Sequence, residues 1–352
     1  MFSPTARPEV LALRTSQIRE VANAGMGRKD ILAFWVGESD QPTPAFIREA
    51  AAKALLEGET YYTHNLGRTD LREALSAYLT RLHGRAVGTE RLAVTNSGVS
   101  ALMLAAQAVV SPGDKVVVTS PIWPNVVEIP RILSARMETV ALDRAQGHWR
   151  LDPDKLMDAL TPDTKAVFLN SPNNPTGWTL PAQDRAAILE RCRRYGIWLI
   201  ADDVYERLSF TPRVSPASFL EMTQPDDRVI STNSFSKAWR MTGWRLGWMV
   251  LPPQLVDAMG VVVEYNTSCA PDFIQSGAIA ALNDGEPAIA ELRANLMARR
   301  DQVVTALRQL PGVEAPEPEG EGWLRWCFAH SAERNAEGLA RLASYLAATA
   351  RT

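Results

Sequence analysis

Short apolar runs alternate with stretches of helical periodicity over most of the chain. Between the runs, apolar spacing predicts helices at 44–56, 69–82 and 101–110. The apolar runs cover residues 92–95, 116–119, 138–141, 166–170, 197–201, 229–232 and 246–250. Near-continuous apolar strands separated by helices are typical of a sheet covered on both faces. We therefore predict an α/β fold, with a three-layer domain around a mostly parallel, seven-stranded sheet.

The two ends of the chain show a different pattern. Val10, Leu13, Ile18 and Val21 predict one amphipathic helix, and the apolar run 31–36 predicts a strand after it. Near the other end, the pattern predicts long helices at 254–281 and 287–310, a strand at 324–328 and a closing helix at 337–346. We expect a large domain at 41–284 and a smaller α+β domain built from 1–40 and 285–352.

Composition and charge narrow the class of protein. The 352 residues carry 37 Lys and Arg against 40 Asp and Glu, a net charge of −3, so no basic excess favours nucleic acid. No apolar run is long enough to span a membrane, and the first residues do not resemble a secretion signal. Three scattered cysteines indicate neither a disulfide framework nor a metal site. We expect a cytoplasmic protein without a metal.

A lysine and an arginine follow the predicted strand 229–232. Ser234, Ser236 and Lys237 come directly after it, and Arg245 lies eight residues further on, flanked by glycines. Two cations that emerge between buried strands cost free energy unless each has a charged partner. Solvated loop cations would explain a bare lysine-to-arginine spacing, but the serines and glycines here favour a binding site. Only six of the 37 basic residues are lysines, so lysine chemistry has few candidates.

Polar residues also follow other predicted strands, where ligands gather in α/β proteins. Asp202 and Tyr205 follow strand 197–201, and Asn174 lies in the proline-rich loop 170–177. Gly98 and Val99 open the helix after strand 92–95, where unpaired N–H groups can bind an anion. Taken singly, each has a simpler explanation: a helix cap, a rigid turn or an ordinary helix start.

Together these motifs resemble the class I/II aminotransferases, fold-type I enzymes that use pyridoxal 5′-phosphate. The resemblance runs from about Arg14 to the C-terminus and depends on Ser-x-Ser-Lys with its arginine, on Asn-Asn-Pro-Thr-Gly and on Asp-x-x-Tyr. It implies a homodimer with shared active sites. It also implies transfer of an amino group from an L-α-amino acid to a 2-oxo acid by a ping-pong mechanism.

The resemblance assigns roles to residues at one end of the site. Lys237 matches the lysine that forms the internal aldimine with the cofactor and moves the substrate proton. Asp202 matches the carboxylate that faces the pyridine nitrogen. Tyr205 and Asn174 match the pair that hydrogen-bond the ring oxygen O3′. Trp123 matches an aromatic residue stacked on the ring, although taken alone its favoured explanation is ordinary core.

Further residues match the phosphate and substrate positions of the family. The phosphate would contact the backbone of Gly98 and Val99 and the side chains of Ser234, Ser236 and Arg245. Tyr62 matches a tyrosine that the neighbouring subunit contributes to the phosphate. The implied substrate-binding residues are Gly37, Asn174 and Arg325, the last gripping the α-carboxylate as planar arginine does well.

Two departures from the family pattern concern the small domain and the substrate entrance. The family usually has proline where this chain has Ser39. Most relatives also place a strand and a helix where this chain runs directly from Gly320 to Glu321. Either the small domain is shortened, or the sequence lacks a native segment at this junction. We favour the second hypothesis, because segments over active sites are often poorly ordered.

Two alternatives remain at the sequence level, and neither substrate is identified. A C–S β-lyase on the same scaffold shares the early steps, and accumulation of the pyridoxamine form with an amino donor alone would distinguish the two. A non-catalytic ligand sensor of the kind fused to a DNA-binding domain is disfavoured, because the chain starts with the fold itself. The residues identify neither the amino acid nor the 2-oxo acid.

Overall fold

The computed structural model describes residues 5–145, 148–210, 218–313 and 326–349. In this part of the chain one sheet contains β1 Leu92–Thr95, β2 Lys115–Ser120, β3 Arg136–Ala141, β6 Thr164–Asn170, β7 Trp198–Asp202, β8 Val229–Ser234 and β9 Gly247–Val250. Its strand order is β1-β9-β8-β7-β6-β2-β3. Of the seven, only β9 runs opposite to the other six, which confirms the predicted seven strands and mostly parallel sheet. Strands β4 Asp143–Ala145 and β5 His148–Arg150 form a separate pair.

Alternate residues of the central strands enter different cores. Val116 and Val118 pack into a core with the helix that follows β1, whereas Val117 packs into a second core on the other face. In the same way, Phe168 packs into the first core and its neighbour Val167 packs into the second. Because successive side chains of a strand point to opposite faces, a wholly apolar strand needs cover on both sides. This is the physical origin of the three layers.

The helices of the described residues are mostly those that the periodicity predicts. They are α1 Pro8–Leu11, α2 Gln17–Gly25, α3 Ala45–Leu56, α4 Thr69–His83, α5 Gly98–Val109, α6 Pro124–Ile132, α7 Pro153–Ala159, α8 Ala182–Tyr195, α9 Pro253–Thr267, α10 Asp272–Asp284, α11 Glu286–Leu307 and α12 Ala332–Thr349. No helix among the described residues has the length and apolar character needed to cross a membrane.

Two predicted helices are each divided in two. The single N-terminal helix is replaced by α1 and α2, because Ser16 is extended at the start of α2. The predicted helix 254–281 breaks between α9 and α10, where Ser268 has a φ of 63° and Pro271 is extended. Proline lacks the N–H of a helix interior and clashes with the preceding turn, so the helix cannot run through it.

The terminal strand predictions are wrong within the described residues. Residues 31–36 and 326–328 form no strand, while 324–325 and the Gly320–Glu321 junction lie outside the described residues. Phe34 instead stacks on Trp326 with ring centroids 4.3 Å apart, and its carbonyl accepts a hydrogen bond from Cys327 N. Aromatic packing, not strand pairing, therefore accounts for Phe34 in this apolar run.

Candidate active site

Three neighbouring parallel strands end in polar residues at the same edge of the sheet. Asn170 ends β6, Asp202 ends β7 and Ser234 ends β8, and Asn170 pairs in register with Asp202. Parallel strands bring their carboxyl ends together, so residues far apart in sequence become neighbours. A cavity of about 710 Å³ opens here and is lined by all three residues.

Asp202 is the buried acid of this cavity. Its Oδ1 accepts a hydrogen bond from Val204 N at 3.2 Å. Burial raises the pKa of its carboxyl to about 7, and Asp203 adds to the shift, whereas the Val204 hydrogen bond and the charge of Lys237 oppose it. The carboxylate is thus poised for a cationic partner, which would restore its usual ionisation.

Lys237 lines the same cavity from the loop after β8. Its Nζ donates a hydrogen bond to the Gly37 carbonyl at 2.7 Å and lies 5.9 Å from the centroid of the Tyr205 ring. Gly37 belongs to the N-terminal segment, so the lysine connects that segment with the sheet. An amine, an acid and a phenol are thereby gathered around one space.

The start of α5 forms one wall of the cavity. Ser97 caps this helix by accepting a hydrogen bond from Ser100 N at 3.0 Å. Gly98 and Val99 lie in the first turn of the helix, where backbone N–H groups have no acceptor within the helix itself. A Cβ on Gly98 would lie 3.0 Å from the Ser234 Cβ, so glycine permits this approach. Helix dipole and donors together favour an anion here.

Hydroxyls and a guanidinium complete this end of the cavity. The Ser234 hydroxyl accepts a hydrogen bond from Ser236 N at 2.9 Å. Arg245 adopts a left-handed conformation with a φ of 53°, and its Nη1 donates to the Thr242 carbonyl at 2.7 Å. The donor set matches the chemistry of a phosphate group.

A second cavity of about 520 Å³ adjoins the first and shares Gly37, Asn174, Tyr205 and Lys237 with it. The Asn174 backbone N–H donates to Asn170 Oδ1 at 2.8 Å, which fixes its loop against the end of β6. Large apolar side chains form much of the remaining wall: Phe210, Leu292, Leu296, Trp326 and Phe328. The geometry thus provides a polar chamber that opens into a largely apolar one.

Most of the residues expected from the sequence meet at the first cavity. They are Gly37, Gly98, Val99, Trp123, Asn174, Asp202, Tyr205, Ser234, Ser236, Lys237 and Arg245. Tyr62 lines neither cavity and is 89% exposed. Arg325 lies outside the described residues.

Several further residues line the cavities without a clear signal in the sequence. Thr15, Ser16 and Ile18 reach the first cavity from the start of α2, and Arg240 and Gln41 reach the second. Thr15 and Ser16, directly before α2, resemble an ordinary helix cap, so they carry no signal of a site. Arg240 follows Lys237 by three residues, which is the one signal that could have identified it.

Comparisons with known proteins agree with this geometry. Residues 29–321 match the family described as aminotransferase class I and II. An aspartate aminotransferase from Pyrococcus horikoshii is 32% identical over 88% of this chain and 79% of its own. Arginine–pyruvate transaminase AruH from Pseudomonas aeruginosa is 35% identical over 86% and 76%. The solved structure of Thermus thermophilus aspartate aminotransferase with maleate has a TM-score of 0.89 at 28% identity, covering 97% of this chain and all of that one.

The chain belongs to the class I and II aminotransferases. It is a pyridoxal-phosphate-dependent aminotransferase of fold-type I. The residues of the first cavity fit this cofactor, because the open start of α5, two serines and Arg245 suit a phosphate. At the same edge of the sheet, the buried Asp202 carboxyl suits a protonated ring nitrogen.

Proposed function

We propose that this cavity transfers the amino group of an L-α-amino acid to a 2-oxo acid by a ping-pong mechanism, with Lys237, Asp202 and Tyr205 as the catalytic residues. The observation that carries the proposal is that Lys237 and the buried Asp202 line one cavity beside the anion-binding start of α5. Of the six lysines in the chain, Lys237 is the one that lines either cavity.

The protein residues divide the work between binding and proton transfer. Bound pyridoxal phosphate supplies an electron sink for the electron pair left at the substrate Cα when its proton departs. Lys237 Nζ would hold the cofactor and then carry the proton from Cα. Asp202 would keep the ring nitrogen protonated through its negative charge, while Tyr205 and Asn174 would hydrogen-bond the ring oxygen.

The remaining residues of the first cavity would position the cofactor. Gly98 and Val99 would donate backbone N–H groups to the phosphate, and Ser234, Ser236 and Arg245 would complete its hydrogen bonds. Trp123, which lines the cavity, would cover the ring. Since these donors lie on separate strand ends and one helix, the rigid sheet would hold the cofactor in one orientation.

The active form would be a homodimer in which Tyr62 reaches the phosphate of the neighbouring subunit. Tyr61 and Tyr62 are 80% and 89% exposed, so both side chains are accessible to a second copy of the chain. Gln275 braces this segment, donating from Nε2 to Thr63 Oγ1 at 3.0 Å and accepting from Arg68 N at 2.8 Å. An exposed tyrosine on a braced segment fits a contribution to a second copy.

Substrate binding would involve Arg325 for the α-carboxylate and Gly37 and Asn174 beside it.

Contacts between the termini support a small domain of 1–40 and 285–352 beside a large domain of 41–284. Ser331 N donates to Asp40 Oδ2 at 2.6 Å, and Arg341 Nη1 donates to the Asp30 carbonyl at 2.8 Å. The three cysteines are all free, which supports a cytoplasmic location.

Borohydride reduction of the holoenzyme, followed by peptide mapping, tests the central assignment. The expected label lies on Lys237, and Lys237→Ala should abolish both label and turnover. Lys53→Ala is the matched control, because Lys53 is exposed on α3. A label on any other lysine would contradict the proposal.

A second experiment distinguishes an aminotransferase from a lyase. Without an acceptor, the enzyme should release about one equivalent of 2-oxo acid per site, whereas continuous release would indicate a lyase.

A further inference from the structure

The second, largely apolar cavity contains the guanidinium of Arg240, which has no acidic partner among the described residues. Arg240 lines the second cavity together with Lys237, and its Nη1 donates a hydrogen bond to Gln41 Oε1. Within the described ranges, no carboxylate forms an ion pair with it. Burial lowers the pKa of this guanidinium, and the charge of Glu291 opposes that shift from a distance. A half-buried cation whose only side-chain partner among the described residues is a neutral amide favours an anionic ligand.

The backbone holds Arg240 in a set orientation. Its φ of 57° lies in the left-handed region, which a residue with a Cβ adopts only at a cost in free energy. The Arg240 carbonyl accepts a hydrogen bond from Thr43 Oγ1 at 2.6 Å, and Trp244 Nε1 donates to the same hydroxyl at 3.0 Å. These contacts hold the strained conformation. Gln41 then orients the guanidinium at the end of the side chain.

The surroundings define which ligand would bring the anion. Leu292, Leu296 and Phe328 offer apolar contacts to the hydrocarbon part of a substrate side chain. A carboxylate at the far end of that side chain would match the planar guanidinium. We infer that Arg240, oriented by Gln41, binds the distal carboxylate of the substrate, so that dicarboxylic amino acids and 2-oxo acids are preferred. The inference rests on the proposed function of Lys237 and deepens it.

The preference depends on what happens to the Arg240 guanidinium when the substrate brings no distal carboxylate. A neutral substrate of the same shape would leave the guanidinium desolvated and without an ionic partner, which costs more than a lost hydrogen bond in water. Glutamate and glutamine, or aspartate and asparagine, are nearly equal in shape and differ in this charge. The ratio of their kcat/KM values therefore reports the interaction directly.

The experiment measures this ratio for the holoenzyme and for three variants. The wild type should prefer the acid to the amide, and Arg240→Gln should reduce the ratio by about 100-fold. Gln41→Glu should reduce it by at least about 10-fold, because the new carboxylate would occupy the guanidinium without changing the size of the side chain. Arg308→Gln, at an exposed arginine after α11, is the matched control and should leave the ratio unchanged.

Equal use of acid and amide by the wild type, or an unchanged ratio in Arg240→Gln, overturns the inference. If Arg240→Gln fails to fold, inhibition of the wild type by unreactive acids tests the inference instead. Glutarate should then inhibit at least about 10-fold more tightly than valerate, and equal inhibition overturns the inference. Turnover of neutral amino acids without a preference would remove this inference alone. Absence of turnover together with no label on Lys237 would remove the proposed function as well.

Discussion

Asp202 and Asp203 are adjacent in the chain but lie in different surroundings. Asp202 lines the cavity of Lys237, whereas Asp203 Oδ2 accepts hydrogen bonds from Ser231 Oγ at 2.8 Å and Ser218 Oγ at 3.2 Å. Both carboxyls are buried, and burial raises the pKa of each. The two acids therefore have separable roles, one facing the cavity and one bonded within the protein.

The first prediction separates these roles. Asp202→Asn should retain the cofactor but reduce kcat by factors of roughly 10² to 10⁴, as for other groups that control a proton. Asp203→Asn is the matched control and should lower stability more than kcat, because it disturbs the bonds to Ser231 and Ser218. Steady-state kinetics and urea unfolding of both variants provide the measurement. A larger loss of kcat in Asp203→Asn would contradict the assignment.

The second prediction concerns pH and the cofactor-free protein. The pKa of Asp202 is raised from 3.8 to about 7, so between these values the folded state binds more protons than the unfolded state. The free energy of unfolding should therefore fall as pH rises through this window, by up to about 4 kcal/mol. Asp202→Asn should remove most of this fall.

Urea unfolding at about pH 5 and about pH 8 covers about two pH units of this window and should show a fall of about 2–3 kcal/mol from Asp202. Asp203 contributes in the same direction up to about pH 6, so some slope should remain in Asp202→Asn. The exposed Asp158, changed to Asn, serves as the control. Equal slopes for the wild type and Asp202→Asn would show that Asp202 does not carry the effect.

The third prediction tests the packing of β9 against the start of α5. A Cβ on Gly247 would lie 2.6 Å from Gly98 N and 2.7 Å from the Asn233 carbonyl oxygen, and both are backbone atoms. Gly247→Ala should cost about 2–3 kcal/mol of stability and weaken cofactor binding, because it displaces the anion-binding N–H groups. Gly243→Ala is the control, since nothing lies within 4 Å of its added Cβ. Thermal unfolding and cofactor titration check the result, and tight cofactor binding by Gly247→Ala would refute it.

The fourth prediction tests whether subunits share active sites. Tyr62→Phe and Lys237→Ala subunits should each have little activity alone. Mixed and reassembled, they should recover activity, since one site of each hybrid dimer then pairs an intact Lys237 with an intact Tyr62 of the other subunit. Tyr61→Phe, at an equally exposed neighbour, serves as the control and should be active without mixing. A fully active monomer in ultracentrifugation, or no recovery on mixing, would count against a shared site.

The apolar pattern predicted the sheet, and the polar residues after its strands carried the family resemblance that implies most of the candidate site residues. All seven strands predicted for the large sheet occur, and eleven expected residues line one cavity. Buried parallel strands carry their signal in a short local run, because each must be apolar on both faces. The chemistry follows directly after the strands, so sequence order alone places it at one edge.

Only the tertiary structure shows which residues that are distant in the sequence contact each other. The apolar run around Phe34 predicted a strand, but Phe34 instead stacks on Trp326, which is almost three hundred residues away. Arg240 is one of many arginines in the sequence, and only the fold shows it beside Gln41 in an apolar chamber. An apolar or charged residue reveals that it needs a partner. Which partner it meets depends on long-range packing, and a local pattern carries no record of that.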